Sequence, residues 1–538
     1  MKAYLKDLSQ KLLGTVTDNP DVLEHFATDG SIFQIVPAGV VYPNNTADVR
    51  KTVAFVAEKA AAGKAISITP RGKGGDSGGG AIGEGLQLVM PAHMNKLLRL
   101  ENDYVVVQPG ITLRTLQQTL HTHGRFLPSA PTGLDTTTVG GAVSNDDAGP
   151  RAYKYGSFRD WVKSLKVVIA DGSLIETRRI SARELNRKKG LDTAEGELYR
   201  KLDNILLDHP ELISKQQPRS RHNTAGYALS KVRGRDGSFD LSQVFIGAQG
   251  TLGVITEITL RTAPYNPRTT LVVGYFGSLD QAGEAVVRLA AHKPSAIELV
   301  DQTLLEYLRE HRPGDLEGLV PEKLPRVMLI AEFDDSSQLT QKIRSTRAER
   351  LMRRHGATTR ISTDPIEQVA IWKIRRDAPS LMALTGQGRK ALPFIDAAAV
   401  PVLKLAEFID RSHKLLAKHG VEAAIWGHAG DGQLHLMPFL DLSKRRDVDR
   451  LFHLSHEFHD LVVALGGTSS AEHNDGLLRA AYLDRLYGEE LAELMASTKH
   501  AFDPHSIFNP MHKTQATEVY AREHLRDSYN LRHLYEHI

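Results

Sequence analysis

Half of the sixteen residues from Pro70 to Gly85, PRGKGGDSGGGAIGEG, are glycine. A helix or strand interior does not carry that density, because each glycine there costs roughly 0.5–1 kcal/mol relative to alanine. With no Cβ in the way, such a loop lets backbone N–H groups close on an anion. Two more stretches repeat the theme. Residues 129–158 read SAPTGLDTTTVGGAVSNDDAGPRAYKYGSF, and residues 247–251 read GAQGT between apolar runs. Three such loops in the first half of the chain point to one large phosphate-bearing ligand. A P-loop is excluded because no Gly-Lys-Ser/Thr closes the first loop. A dinucleotide fingerprint is excluded because its spacing fails at Ser77.

The segments between the loops carry mixed periods. Val49, Val53, Val56 and Ala60 recur at helical spacing after a Thr46 cap. Short apolar runs at 65–69, 86–90, 104–108, 165–170 and 174–177 read as strands, the last two joined by Asp171-Gly172, a strong hairpin signal. A helix is expected over 112–121, a charged helical insertion over 181–215, and a strand pair around 244–246 and 253–260. After Pro264 the glycine density falls, and helices are expected at 281–292, 336–355 and 401–419. The pattern predicts an α+β chain in three parts: 1–265, 266–500, and a helical tail at 501–538.

GHAGDGQLH, residues 427–435, is a second constraint. Asp431-Gly432 suits a two-residue type I′ turn. At the tip of a hairpin it sets Gly430 opposite Gln433, Ala429 opposite Leu434 and His428 opposite His435. Opposed residues share a face, with Cβ atoms roughly 4.5–5.5 Å apart. Two imidazoles then converge as a Zn²⁺-like ion requires, with bonds of about 2.0–2.1 Å. Glu472 is the third candidate ligand. His473 is its neighbour, so the two side chains diverge, and one can hold metal while the other faces substrate. On these residues alone, a surface hairpin with solvated imidazoles stays open. The sequence has no cysteine. Disulfides, thiolate zinc, iron–sulfur clusters and cysteinyl flavin are thereby excluded, and a metal must rest on His, Asp or Glu. A net charge of +3 gives no reason to expect nucleic acid. MKAYLKDLSQKLLG lacks an uninterrupted apolar core, and no run approaches the roughly 20 residues of a membrane span. A cytoplasmic protein is the expectation.

PRGKGGDSGGG, TVGGAVSNDDAG with PRAYKYG, and GAQGTLGVITEITLR together resemble the FAD-binding domain of the vanillyl-alcohol oxidase flavoprotein superfamily, over about residues 30–265. The resemblance implies FAD contacts at Arg71, Gly72, Gly74, Gly75, Asp76, Ser77, Gly79, Thr138, Gly140, Gly141, Ser144, Asn145, Gly149, Gly156, Gly250, Gly253, Ile255 and Asn509. Members with covalent flavin carry a histidine in the first loop. This loop has none, which implies non-covalent FAD. GHAGDGQLH, SSAEHNDGLLR and FDPHSIFNP resemble the C-terminal domain of FAD-linked dehydrogenases acting on glycolate, D-lactate and D-2-hydroxyglutarate. That resemblance implies a divalent metal, Zn or Mn, on His428, His435 and Glu472, with His473 as catalytic base. Arg375, in WKIRR, matches the residue that grips the substrate carboxylate, and Lys390 is a second carboxylate ligand. Four departures from the pattern stand out: Asp76-Ser77 for Thr, Asp147-Ala148-Gly149-Pro150 for Asn-Ala-Gly-Gly, Gln433 for Asn, and Asn474 for Gly. If that glycine has positive φ, Asn is among the residues most tolerant of it.

The resemblance implies a fold: a two-lobed FAD-binding domain of vanillyl-alcohol oxidase type plus an α+β cap domain with an antiparallel sheet. It also implies an activity, oxidation of a small D-2-hydroxy acid to the 2-oxo acid. His473 takes the hydroxyl proton, the metal assists, and C2 hydride passes to flavin N5. With no cysteine for an iron–sulfur relay, electrons leave to an external acceptor: a quinone, an electron-transfer flavoprotein, a cytochrome or an iron–sulfur subunit. A homodimer and a peripheral contact with the inner face of the membrane are both compatible with the sequence. An FAD transferase resembling alkyl-glycerone-phosphate synthase, and a non-catalytic FAD-binding subunit, are the readings from other classes.

Overall fold

The computed structural model describes residues 1–378 and 388–535. The first glycine loop links two parallel strands. Gly39–Tyr42, Leu86–Val89 and Ile68–Arg71 run parallel, and Thr15–Thr17 adds antiparallel at one edge. Helix Thr46–Ala61 shares a core with this sheet, through Val49, Val53 and Val56 against Val41, Leu86 and Leu88. Its cap is Asn45, whose side chain accepts from the Asp48 N–H, and not Thr46.

The second sheet is six-stranded and antiparallel. Its order is Phe239–Asp240, Leu174–Ile180, Val162–Val168, Val254–Arg261, Tyr104–Val107, Leu97–Leu100. Asp171-Gly172 makes the expected hairpin turn, with Gly172 at φ 83°. The charged insertion folds into helices Ala182–Lys189, Ala194–Asp208 and Pro210–Lys215. The strand expected at 244–246 is instead the end of a helical turn, Ser242–Phe245. A three-residue apolar run fits either period, and here the tertiary context decides: Val244, Phe245 and Ile246 all enter the core of this lobe.

The third sheet has eight strands. Its path is Thr358–Ser362, Thr270–Phe276, Val327–Phe333, Ala296–Asp301, Ala423–Gly427, Gln433–Leu440, Lys390–Ala391, and Ala398–Ala399 also pairs with Gln433–Leu440. The pairs are antiparallel. Alternate residues serve two cores, as the strand period of two requires. Val272, Phe276, Leu329 and Ala331 pack with helices Leu279–Leu289 and Leu405–Lys418. Leu271, Val273, Met328 and Ile330 pack on the other face with Ile371 and Ile374 of helix Pro365–Arg376. Among the described residues no helix is long and apolar enough to cross a membrane.

The histidine hairpin is not the two-residue turn its sequence suggests. His435 pairs with Trp426, a 3-10 turn spans Ala429–Asp431, and Gly432 is left-handed at φ 70°. His428 leaves the ladder at φ −85° and ψ 74°, with its carbonyl accepting from the Asp431 and Gln433 amides. The tail is also less helical than its composition suggests. Beyond Phe502 it has the short helix Glu518–Glu523 and a 3-10 turn at Arg532–Leu534. It returns to the first sheet, where Ile68 and Phe508 form a parallel bridge.

Candidate active site

Two buried carboxylates organise the chemistry, and each bridges two functional side chains. Glu298 lies on the sheet face of Val300, which pairs with Trp426. One of its oxygens accepts from His428 Nδ1 at 2.7 Å, the other from Arg375 Nε at 2.8 Å. Asp396 accepts from His435 Nδ1 at 2.7 Å and, through its second oxygen, from His473 Nδ1 at 2.5 Å. With Nδ1 committed as donor in each ring, Nε2 carries the free lone pair.

Those Nε2 atoms converge on Glu472. His428 Nε2 is 3.3 Å and His435 Nε2 3.2 Å from Glu472 Oε1, while His473 Nε2 stands further off at 3.6 Å. Ligands each about 2.0–2.1 Å from a tetrahedral ion stand roughly 3.3–3.4 Å apart, so the first two spacings are those of a ligand set. Glu472 Oε2 is buried with no partner, and His428, His435 and Glu472 are all buried. The donor set therefore fits a divalent ion. A second cluster of His435, Asp396 and His473 satisfies the same proximity, but two of its ring nitrogens are already spent on Asp396. Burial works against a charged His428, yet the Glu298 and Glu472 carboxylates overcome it and raise its pKa to about 10. Burial likewise opposes charge on His473, and Asp396 with Glu472 lifts it to about 9. Burial pushes the Asp396 and Glu472 carboxyls up, but the surrounding histidines hold both well below the usual carboxylate range.

Arg479 and Asn474 fix this cluster in place. Buried Arg479 donates from Nη1 to the Asn474 carbonyl and from Nη2 to the Asp396 carbonyl, both at 2.9 Å. Asn474 has φ 55°, so the left-handed geometry inferred for its position is present. Its Nδ2 donates to the carbonyls of Asn145 at 3.0 Å and Gly247 at 2.8 Å. The Glu472-His473 turn is thus tied directly to two of the glycine-rich segments.

One cavity joins the glycine loops to this cluster. Of the residues assigned to FAD, Arg71, Gly72, Gly74, Gly75, Asp76, Ser77, Thr138, Gly140, Gly141, Ser144, Asn145, Gly250, Gly253 and Ile255 line it, as do Arg375, His428, His435, Glu472 and His473. The loops meet closely: a Cβ on Gly72 would lie 2.3 Å from Thr138 Oγ1, and one on Gly250 (φ 69°) 2.8 Å from Pro70. The residues present fit a cradle for a long ligand with a phosphate-bearing middle. Asp76 does not face that ligand with a free charge. Its carboxylate accepts from the Gly78 N–H at 3.2 Å, the Gly80 N–H at 2.5 Å and Asn145 Nδ2 at 3.1 Å, and burial lifts its pKa to about 6.

Five of the assigned residues do not line this cavity. Gly79 packs on Phe33 and Leu477, Gly149 against the Ala130 carbonyl, and Gly156 caps the short helix Ala152–Tyr155; none lines the cavity. Asn509 is a buried strut, with Nδ2 donating to the Gly80 and Gln249 carbonyls and Oδ1 accepting from Thr69. Lys390 sits on the outermost strand of the sheet path, opposite Leu440, and is not among the described residues that line the cavity. Sequence reasoning missed Glu298, Asp396, Arg479 and Gln249. Asp396 lies in KALPFIDAAAVP, six residues after Lys390. Glu298 carries no local signal, being an acid in the strand IELVD.

The two-lobed cradle and the antiparallel cap have the fold of the vanillyl-alcohol oxidase type. The solved structure of p-cresol methylhydroxylase superposes with a TM-score of 0.69 at 16% identity, covering 96% of this chain and 98% of that one. Residues 37–178 match the FAD binding domain, and residues 266–512 match the C-terminal domain of FAD linked oxidases. The chain thus carries both an FAD binding domain and the C-terminal domain of FAD linked oxidases. It is 30% identical over 513 residues to the D-2-hydroxyglutarate dehydrogenase of Pantoea ananatis, covering 92% of this chain and 50% of that protein. It is 26% identical over 488 residues to glycolate oxidase subunit GlcD of Bacillus subtilis, covering 89% of each. The chain spans about half the length of the D-2-hydroxyglutarate dehydrogenases it matches.

Proposed function

We propose that the chain is an FAD-dependent dehydrogenase that oxidises a small D-2-hydroxy acid to the 2-oxo acid. In this reading residues 1–265 hold non-covalent FAD, residues 266–500 supply the metal and substrate groups, and residues 501–538 return to the FAD part. The convergence of His428, His435 and Glu472 beside His473, in the cavity that the glycine loops line, carries the proposal. Bound FAD supplies a two-electron acceptor, and a bound Zn²⁺ or Mn²⁺ supplies Lewis acidity toward the 2-hydroxyl. His473 Nε2 accepts the hydroxyl proton, and Asp396 stabilises the imidazolium that forms. Arg375, its Nε spent on Glu298, turns its remaining guanidinium N–H groups to the substrate carboxylate. Electrons leave to an external acceptor of the quinone, flavoprotein, cytochrome or iron–sulfur class, since this sequence has no cysteine for an internal relay. The protein works in the cytoplasm in this reading.

The test is a dye-reduction screen of D- and L-2-hydroxy acids, with chelator and with added Zn²⁺ or Mn²⁺. Metal-dependent reduction by D-acids supports the proposal, and reduction by none of them ends it. Acid precipitation is expected to release the flavin, because the first loop has no histidine; flavin that stays with the pellet would show a covalent link. Asp396→Asn is expected to weaken metal binding roughly 10–100-fold, the usual effect of losing a ligand's hydrogen-bond partner. Titration of metal into chelator-stripped protein measures it, and unchanged affinity would show that Asp396 does not orient His435.

A further inference from the structure

Apolar side chains flank His435 on one side of the cap sheet, while buried Gln433 stands two residues back on its own strand. Trp426 is its cross-strand partner, with ring centroids 5.8 Å apart, and Met437 is two residues along the same face, opposite Ala424. Trp426 and Met437 are 2% and 5% exposed, and both line the cavity beside His428 and His435, together with Pro393. Tyr529 and Leu531 line it too. They belong to the segment beyond residue 512, where the family match ends. That segment is firmly seated. Buried Arg526 donates from Nε to the Phe33 carbonyl at 2.8 Å, Tyr529 Oη donates to the Gly30 carbonyl at 2.9 Å, and His533 Nε2 donates to the Gly74 carbonyl at 2.9 Å.

The cations of the cavity are committed or placed elsewhere. Arg71 spends Nη1 and Nη2 on the Ala81 and Thr28 carbonyls. Arg375 is the group that holds the substrate carboxylate in the proposed reaction. Arg376 pairs with Asp377 from an exposed position, and Lys73 sits on the first glycine loop. Among the cations of the described residues that line the cavity, Arg375 alone reaches the sheet face that carries Trp426, His435 and Met437, from helix Pro365–Arg376 and through Glu298. A second carboxylate laid against that face would meet the buried, unpartnered Trp426 indole N–H but no free cation among the described residues that line the cavity, and one neutral donor does not offset the desolvation of a charge.

We infer that Trp426 and Met437, closed by Pro393 and the Tyr529–Leu531 segment, form an apolar subsite for the C2 substituent, so the substrate class is aliphatic or aromatic D-2-hydroxy monocarboxylic acids rather than dicarboxylic ones. This rests on the proposed 2-hydroxy acid oxidation. One methylene in an apolar pocket is worth roughly 10–200-fold in kcat/KM. D-2-Hydroxyhexanoate is therefore expected to exceed D-lactate by at least about 10-fold and D-2-hydroxyglutarate by at least about 100-fold.

The experiment measures the second-order rate of flavin reduction by these three acids in wild type, Met437→Arg and Met437→Ala, each checked for full FAD and metal content. Met437→Arg is expected to move the hydroxyhexanoate-to-hydroxyglutarate ratio toward the dicarboxylate by at least 10-fold, roughly what one added ion pair in a dry site supplies. Met437→Ala, which leaves space without charge, keeps the test alive if the arginine variant fails to fold, and it is expected to lower the advantage of hydroxyhexanoate over lactate. A wild-type preference for hydroxyglutarate, or ratios unmoved in the variants that fold, overturns the subsite. Perturbation of the flavin absorbance by 2-oxohexanoate and by 2-oxoglutarate separates the two failures. If no acid reduces the flavin yet 2-oxohexanoate binds the tighter, the dehydrogenase reading falls and the subsite stands. If 2-oxoglutarate binds the tighter, the subsite falls whatever the turnover.

Discussion

Replacing His473 with asparagine is expected to slow flavin reduction by roughly 10²–10⁴-fold, the range for a positioned acid–base group, while bound metal stays near the wild-type level. The argument is geometric first. His473 Nδ1 is held by Asp396 at 2.5 Å, its Nε2 stands 3.6 Å from Glu472 Oε1, and it is the most exposed member of the cluster, with 31% of its side chain open. It alone among the three histidines is placed to meet substrate rather than ion. Asparagine preserves size and a hydrogen bond to Asp396 but takes up no proton. The pH response follows with its sign. Only the neutral ring is a base, so the wild-type rate falls as pH drops through the His473 pKa. Asp396 and Glu472 lift that value to about 9 in the metal-free protein, and a divalent ion on Glu472 pulls it back down. The low-pH limb should therefore sit lower with metal than its absence would suggest, and it should vanish in His473→Asn. Stopped-flow reduction of the variant at the wild-type rate would remove His473 as the base. Loss of metal from the variant would make it a ligand instead.

How much of this was legible in the sequence depended on how far apart the cooperating residues lie. The glycine loops announced a cradle because backbone approach needs missing side chains, and that is written in composition. His428, His435, Glu472 and His473 announced themselves because ligands in short motifs carry their own spacing. The hairpin geometry behind them was misread all the same. His435 pairs with Trp426, and His428 reaches the site from a 3-10 turn that no two-residue rule anticipates. Glu298 and Asp396 stayed hidden for a different reason. Each orients a histidine far away in sequence, 130 residues away for Glu298 and 39 for Asp396, so only the assembled sheet reveals the pairing. Asn509 is the opposite case. Its motif matched, but its amide spans Gly80, Gln249 and Thr69, supporting the loops without reaching the ligand space.

Replacing Glu472 with glutamine is expected to strip the metal and, with it, nearly all activity. The affinity loss should exceed the roughly 10–100-fold caused by removing an outer-shell partner, because a neutral amide is a poor ligand for a divalent ion. Three observations set the size of the effect. Glu472 is 4% exposed, so water cannot readily take its place. Its Oε1 lies within 3.2–3.3 Å of two imidazole Nε2 atoms. Its Oε2 is buried and unpartnered, which is costly for any carboxylate that nothing else completes. The same fact predicts an asymmetry between variants. In metal-free wild type, Glu472 offsets the charge that His428 carries with its pKa near 10. Glutamine removes that partner, so His428 should titrate lower, with Glu298 alone supporting it. Metal analysis of the purified variant, FAD content, and an NMR titration of the His428 ring check the three parts separately. A variant that keeps stoichiometric metal with intact FAD would mean that the ion rests on the Asp396, His435 and His473 cluster, and the proposed division of labour between Glu472 and His473 would have to be abandoned.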